Sequence, residues 1–331
     1  MRYLGSKTLL LENIFQIVSE YKSSGYFCDP FGGIGTVGSY MKSKGYSVIS
    51  GDILKFAHFF QVAKIQNNSL PKFNNVIGSN CNKNAEDLEF YFNKLKVNSG
   101  WFIDEYSIKR NFFTVENATR IQACINQIWS WHQEMKINET EYAVLIASLI
   151  DSMDKVANTA GTYYAYLKSW YRKSLKSFSF QIIKPTYGDE TCRTVLIDAD
   201  NLIRSVKTDI LYLDPPYNER NYGRYYHLPE TIARGQIPNP KGKSGVHSYP
   251  ETLSSFNNKK KSIDAFEKII ISSDAKCIIF HYTDEGLIPC EKIRELFSSI
   301  GKLNEYYFDS KGYTTKSRTE KKQHHIFRVI R

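Results

Sequence analysis

At Asp214, Pro215, Pro216 and Tyr217 a carboxylate, two rigid carbonyls and an aromatic ring follow directly on the apolar run Ile210, Leu211, Tyr212 and Leu213. The run reads as a buried strand, and the prolines forbid its continuation because neither can donate to a sheet ladder. In open α/β sheets ligands bind at the carboxyl ends of strands, which places these four residues at a substrate crevice. Their chemistry suits a planar aromatic amine. The lone pair of such an NH2 is delocalised into its ring, and it attacks a methyl donor poorly until acceptors hold both hydrogens. The Asp214 carboxylate and the Pro215 carbonyl are suitable acceptors, an electrostatic preorganisation that requires no strong base beforehand. Tyr217 offers a face for stacking a flat base, a contact worth about 1 to 3 kcal/mol. The bland alternative is a turn that only ends a strand.

A second constellation stands far upstream, where Tyr26, Phe27 and Cys28 lead into Asp29, Pro30, Phe31, Gly32, Gly33, Ile34, Gly35, Thr36, Val37 and Gly38. Gly33, Gly35 and Gly38 match a dinucleotide fingerprint, and Asp52 follows Gly33 by nineteen residues, close to the place of a ribose-binding acid. A nicotinamide or flavin site is therefore the rival reading. Against it, Asp29 sets a carboxylate where a pyrophosphate is repelled and an α-ammonium group is welcome. S-adenosyl-L-methionine has that ammonium and no phosphate. On this reading the glycines let the backbone approach its methionine portion, and Asp52 binds both ribose hydroxyls.

With both constellations on one chain, the sequence resembles the site-specific DNA adenine-N6 methyltransferases of restriction-modification systems, including the Dam-like enzymes. The resemblance covers most of the 331 residues. Arg2-Tyr3-Leu4-Gly5-Ser6-Lys7 looks like the family's amino-terminal motif, which implies that Tyr3, Gly5 and Lys7 close over the methionine end of the cofactor. Asp29 through Gly33 and Gly35 look like its cofactor loop, Asp52 with Ile53 its ribose-binding position, and Asp214 to Tyr217 its catalytic tetrad. The segments 110–114, 154–163 and 218–222 are also similar to the family. The acid expected to hold the amino group of the cofactor's adenine is Asp198, beside Ala199, or else Asp200. Strand alternation puts both on one side, and the family's spacing to an apolar position such as Leu202 favours Asp198. The resemblance implies transfer of a methyl group from S-adenosyl-L-methionine to N6 of an adenine flipped out of a specific duplex DNA sequence. It also implies a cognate restriction endonuclease as candidate partner. N4-cytosine methylation, RNA adenine methylation and a non-catalytic nucleic-acid-binding subunit remain alternatives.

Composition is compatible with these expectations. The net charge of +10 and 14% aromatic residues suit a polyanion partner, since lysines and arginines release counterions from phosphates and rings receive unstacked bases. Basic clusters lie at Lys168 to Lys176, Lys241 to Lys243, Lys259 to Lys261 and Lys316 to Lys322, and each alone reads more readily as solvated surface. Six scattered cysteines without a Cys-x-x-Cys pair read as reduced thiols of a cytoplasmic protein, with no metal site expected. Glu12 cuts short the apolar Leu9-Leu10-Leu11, so neither a signal peptide nor a membrane anchor is expected. A monomer is the expected state.

The elements that must position these residues form three blocks. Helix and strand alternate over 1–65, the start of a doubly wound parallel sheet. Helical periodicity dominates 66–182, where Ala143, Ile146, Ala147 and Ile150 line one face of a helix over Glu139 to Met153. Strands return in 183–331 and end in two that read as a closing antiparallel hairpin. The expected fold is thus α/β, a Rossmann-like doubly wound methyltransferase sheet from 1–65 and 183–331, with 66–182 as an inserted helical target-recognition lobe. Expected DNA contacts are Arg110, Asn111, Lys155, Asn158 and Lys168 in that lobe, with a core hydrogen-bonding role the equal alternative for Asn111 and Asn158, and Arg220, Asn221, Tyr222 and Arg224 after the tetrad. Pro238 to Gly245 reads as a mobile loop able to close over the base. His324 and His325 are adjacent on a strand and point to opposite faces, which argues against a shared ligand role.

Overall fold

The computed structural model describes residues 1–77, 84–247, 249–310 and 322–331. Each expected strand forms: β1 (Gly25–Asp29), β2 (Tyr46–Asp52), β3 (Arg193–Leu196), β4 (Ile210–Leu213), β5 (Cys277–Thr283), β6 (Lys302–Ser310) and β7 (Lys322–Ile330). They make one sheet in the order β3-β2-β1-β4-β5-β7-β6. The pairings from β3 to β5 are parallel, and β7 runs antiparallel to both β5 and β6. The expected terminal hairpin is therefore present, with β7 inserted between β5 and β6. Strand order reverses between β1 and β4, and a crevice opens at the carboxyl ends of strands at such a point. Asp29 ends β1 and Asp214 follows β4, so the two carboxylates are brought to that point by topology alone.

Alternation along β4 divides its side chains. Leu211 and Leu213 join Ile278, Phe280, Phe327 and Val329 in a core closed by Phe266, Ile269 and Ile270 of the Ser262–Ser272 helix and by Ile293 and Phe297 of the Cys290–Ile300 helix. Tyr212 turns to the other face. The Leu11–Ser19 helix is tied to the sheet by Arg328 of β7, whose guanidinium donates to the Ile17 carbonyl at 2.9 Å. Gly51 lets the Ala199–Ser205 helix press against β2, since a Cβ there would meet a Leu202 methyl at 2.6 Å.

The chain divides into two compact units, each assembled from three stretches. The sheet unit comprises Lys7–Ile53, Gly188–Asn221 and Thr252–Arg331, and the helical unit Met1–Ser6, Leu54–Tyr187 and Tyr222–Glu251. The helical unit is thus wider than the 66–182 expected from periodicity. The Lys55–Gln61 helix counts with it because Lys55 and Phe56 donate backbone N–H groups to the buried Glu230 carboxylate at 3.2 and 3.1 Å. The Glu139–Asp154 helix opens on a capping box of Asn138 and Glu141. Its residues from Glu141 to Ile150 are all buried, so it is a central helix instead of the one-faced helix that the Ala143, Ile146, Ala147 and Ile150 spacing suggests. Among the described residues no helix is long and apolar enough to cross a membrane.

Asn158 organises the following segment. Its Nδ2 donates to the Asn111 and Leu167 carbonyls at 2.9 and 3.1 Å, and its Oδ1 accepts from the Tyr171 N–H at 2.9 Å. Backbone bonds from Asn158 to Phe112 and Leu167 complete the clamp. Stripping the amide leaves several buried backbone groups without partners, at about 1 to 3 kcal/mol for each one fully desolvated. Asn158→Ala is expected to lower stability by about 2 to 4 kcal/mol, read as a lower urea midpoint with an unchanged slope.

Candidate active site

Three of the glycine loop's features follow from its backbone. Gly33 and Gly35 hold φ of 50° and 74°, a region that side chains resist. Gly32 donates its N–H to the Gly51 carbonyl at 2.9 Å, and Gly33 donates to Asp52 Oδ2 at 2.9 Å, so the loop is stitched to the end of β2. The Thr36–Ser43 helix starts at Gly35 and carries the chain away.

Around that loop the sheet unit gathers carboxylates. Asp29 is buried, with Oδ1 accepting from the Phe31 N–H at 3.3 Å. Burial first, then the nearby charge of Asp214, and less strongly that of Asp52, push its carboxyl up to about 8. Asp214 has a cationic partner: Lys7 Nζ lies 2.5 Å from its Oδ2, with the side chains 4% and 19% exposed. Burial raises the Asp214 carboxyl above the usual range, and the Lys7 charge and hydrogen bond oppose that rise.

The tetrad leaves β4 as expected. Pro215 is buried, Pro216 and Tyr217 are half-buried, and Tyr217, like Phe31 and Ile197, packs against the apolar core. The turn is held by residues that sequence reasoning passed over. Leu287 donates its N–H to the Tyr217 carbonyl at 3.0 Å, and Asn257 Nδ2 donates to the carbonyls of Asn218 and Arg220, both at 2.8 Å. No sequence signal marked Asn257, an isolated amide distant from any motif.

Asp198 and Asp200 separate for a reason that alternation could not supply. β3 ends at Leu196, and neither residue is in a strand. Asp198 is exposed and caps the Ala199–Ser205 helix through Oδ1, which accepts from the Asn201 N–H at 3.1 Å. Asp200 lies inside that helix, paired with Arg204 at 3.1 Å and Lys268 at 2.8 Å. Ile53 is half-buried and Ala199 buried.

The remaining expected residues fall in different places. Lys7 belongs to the sheet unit, whereas Tyr3 and Gly5 belong to the helical unit. There Tyr3 stacks on Tyr226 at 5.0 Å, and Leu4 donates its N–H to the Tyr226 hydroxyl at 2.7 Å. Arg110 is drawn into an ion pair with Glu105 at 2.5 Å and donates to the Gly242 carbonyl at 3.2 Å. The buried Asn158 spends both ends of its amide inside the protein, a structural role. Lys155 is half exposed and pairs with Asp151 at 3.0 Å. Asn111, Lys168, Arg220 and Arg224 are exposed, and Asn221 and Tyr222 half-buried.

The expected mobile loop is instead fastened. Lys241 and Val246 exchange backbone hydrogen bonds of 3.3 and 3.0 Å, and the Tyr106 hydroxyl donates to the Gly245 carbonyl at 3.0 Å. The two adjacent histidines do part: His324 meets His281 of β5, and His325 pairs with Asp284 at 2.7 Å. The Lys316 to Lys322 cluster and Cys81 lie outside the residues whose side chains are described.

Strand order, the glycine loop after β1 and the Asp-Pro-Pro-Tyr turn after β4 define a Rossmann-like methyltransferase fold. The family model for D12 class N6 adenine-specific DNA methyltransferase matches residues 3–307, and the chain belongs to that family. It is 38% identical over 317 residues to the type II methyltransferase M.FokI of Planomicrobium okeanokoites, covering 93% of this chain and 48% of that protein. Modification methylase StsI of Streptococcus sanguinis is 32% identical over 333 residues, covering 98% and 50%. The type II methyltransferase M.NlaIII of Neisseria lactamica is 34% identical over 314 residues, covering 92% and 90%. The chain thus spans about half the length of the first two relatives and most of the third. Family membership implies a methyl donor.

Asp29 makes the site pH-sensitive. Its carboxyl is held near 8 in the folded chain against an ordinary value of 3.8, so the folded state binds the extra proton. That contribution is complete below the ordinary value and is lost as pH rises through about 8. Stability of the ligand-free protein is therefore expected to fall between pH 6 and 9, and Asp29→Asn to flatten the fall. Urea unfolding at both pH values checks this; equal slopes in the two proteins would remove Asp29 as the cause.

Proposed function

We propose that this protein transfers the methyl group of S-adenosyl-L-methionine to N6 of an adenine flipped out of a specific duplex DNA sequence. The observation that carries the proposal is the Asp214-Pro-Pro-Tyr turn at the sheet's reversal point, in a chain of the D12 family. The kinship with type II and modification methylases supports a place beside a cognate restriction endonuclease.

The residues present suit this cofactor. Asp29, Asp52 and Asp214 act on one another electrically with Lys7 as the cation among them, an excess of carboxylate that favours a ligand bearing sulfonium and ammonium charge over a pyrophosphate. When bound, the cofactor supplies an electrophilic methyl group. Asp52 is assigned to the ribose hydroxyls, the glycines to the methionine portion, Phe31 and Asp198 to the adenine, and Lys7 to holding the Asp214 carboxylate in place. Asp214 and the Pro215 carbonyl accept the two amine hydrogens of the target base, which favours the transition state in which that nitrogen turns tetrahedral. Tyr217 stacks on the base, and Asp214 takes the proton released by the methylated amine.

Incubation with radiolabelled cofactor and varied duplex DNA, followed by digestion to nucleosides, tests the reaction. Label is expected in the deoxy form of N6-methyladenosine; label in N4-methylcytosine, or in RNA alone, would overturn the assignment. Asp214→Ala is expected to reduce turnover by about a thousandfold or more, while leaving cofactor binding largely intact by calorimetry.

The clamp on Asn158 supports a DNA contact in the helical unit. It presents Tyr164, Lys168, Trp170, Tyr171 and Arg172 to solvent, with Trp170 40% exposed. Exposed rings among cations suit unstacked bases between phosphates. Lys168→Ala is expected to weaken DNA binding and to lower the salt slope by about one. Trp170→Ala should lose about 1 to 3 kcal/mol with the slope unchanged. Fluorescence anisotropy across a salt series reads both.

A further inference from the structure

Along the strands that end beside Asp214 the sheet unit carries a row of polar side chains that none of the roles above uses. The buried Tyr212 hydroxyl lies 3.0 Å from His281 Nδ1, and His281 Nε2 lies 3.0 Å from His324 Nδ1. The rings of the two histidines meet edge to face at 5.0 Å. Tyr212 and His281 are buried and His324 half-buried, so the row runs from the sheet interior toward its flank. Burial of an aromatic hydroxyl and two imidazoles side by side costs free energy unless their bonds are made, and here each link is made.

Register fixes where the row stands. Tyr212 is the last residue but one of β4, and Asp214 is the first residue beyond it. Leu213 pairs with Phe280, so the chain leaves β4 at Asp214 one step past that pair, where β5 continues into His281. Thr283 pairs with His324 across β5 and β7, which brings the second imidazole alongside on the same face. The Lys7 charge reaches both imidazoles.

We propose that Tyr212, His281 and His324 are positioning residues for the Lys7–Asp214 pair, a neutral hydrogen-bonded row that fixes the place of the ammonium against the carboxylate. The phenol donates to His281 Nδ1, which leaves the His281 proton on Nε2 to donate to His324 Nδ1. With the phenol as donor, this pattern of tautomers satisfies both contacts with each imidazole uncharged. Burial and then Lys7 hold His281 well below its ordinary value, and the same causes with His325 bring His324 to about 4. Tyr212 stays protonated, since burial and then Asp214 and Asp29 raise it. The charged groups that act on the row are thus Lys7 from the amino-terminal segment, Asp29 from β1 and Asp214 after β4, with His325 acting on His324 from the opposite face of β7. An imidazolium at His281 would set a second cation beside Lys7 and reverse the direction of its bond with the phenol.

The kinetic arm of the test rests on the proposed function, and a second arm does not. In the full chain, His281→Gln, which has reach toward His324, and His324→Gln are expected to lower kcat by about tenfold or more while KM for DNA and for cofactor stays within about twofold. The second arm follows the histidine rings by NMR, assigned from the same two variants. In Lys7→Met the His324 midpoint is expected to rise by about one pH unit or more relative to the parent. An unmoved midpoint would overturn the proposal whether or not the protein methylates DNA. So would unchanged kcat in both glutamine variants of an active enzyme. A parallel change in KM with loss of cooperative unfolding would also overturn it, because the row would then be general packing.

Discussion

A lysine ammonium surrounded by more carboxylate than it can neutralise is the constraint on which this site depends. Lys7 pairs with Asp214, and Asp29 and Asp52 lie within electrostatic reach. Burial raises the cost of every uncompensated charge, and it pushes the Asp29 carboxyl up to about 8, whereas at Asp214 the charge and hydrogen bond of Lys7 oppose the rise. The two carboxyls flank the reversal of the sheet, and Asp214 meets the ammonium directly.

The sheet supplies the precision. Parallel pairing of β4 between β1 and β5 sets Asp29 one step beyond the Cys28–Leu211 pair and His281 one step beyond the Leu213–Phe280 pair, so both stand near the end of β4 where Asp214 follows. The loops then do more limited tasks. Glycines at positive φ bend the chain after β1 onto the end of β2, and one amide, Asn257, fixes the exit from the tetrad through two carbonyls. Residues that position the chemistry are thus mostly strand residues, and those that finish its boundary are amides and backbone.

Legibility from sequence followed the same division. Strands of the sheet were readable because short apolar runs ended in Gly or Pro, and the Asp-Pro-Pro-Tyr turn was readable because prolines cannot continue a ladder. The pairing of Lys7 with Asp214 was not, as the two are separated by most of the chain and neither position carries local information about the other. Asp198 and Asp200 were judged by strand alternation in a place where the strand had already ended, so the period was applied to a helix cap. Arg110 was marked for DNA by residue type and is paired internally with Glu105, whereas for Asn158 the core alternative left open by the sequence is the one that its hydrogen bonds support. Pro238 to Gly245 has the composition of a free loop, but the Tyr106 hydroxyl and the Arg110 guanidinium, more than a hundred residues away, hold it. Composition reports what a backbone can do, and distant donors decide what it does.

Each compact unit is assembled from three separate stretches of the polypeptide, and the chain alternates between them from Met1 to Arg331. A crossover that exchanged one stretch of the helical unit between related genes would bring in a partial unit whose buried partners, such as Glu230 for Lys55 and Phe56, remained behind in another exon-sized block. Exchange of a single segment therefore strands buried groups of the helical unit without their partners, whereas a point change at an exposed position leaves the interleaved architecture whole.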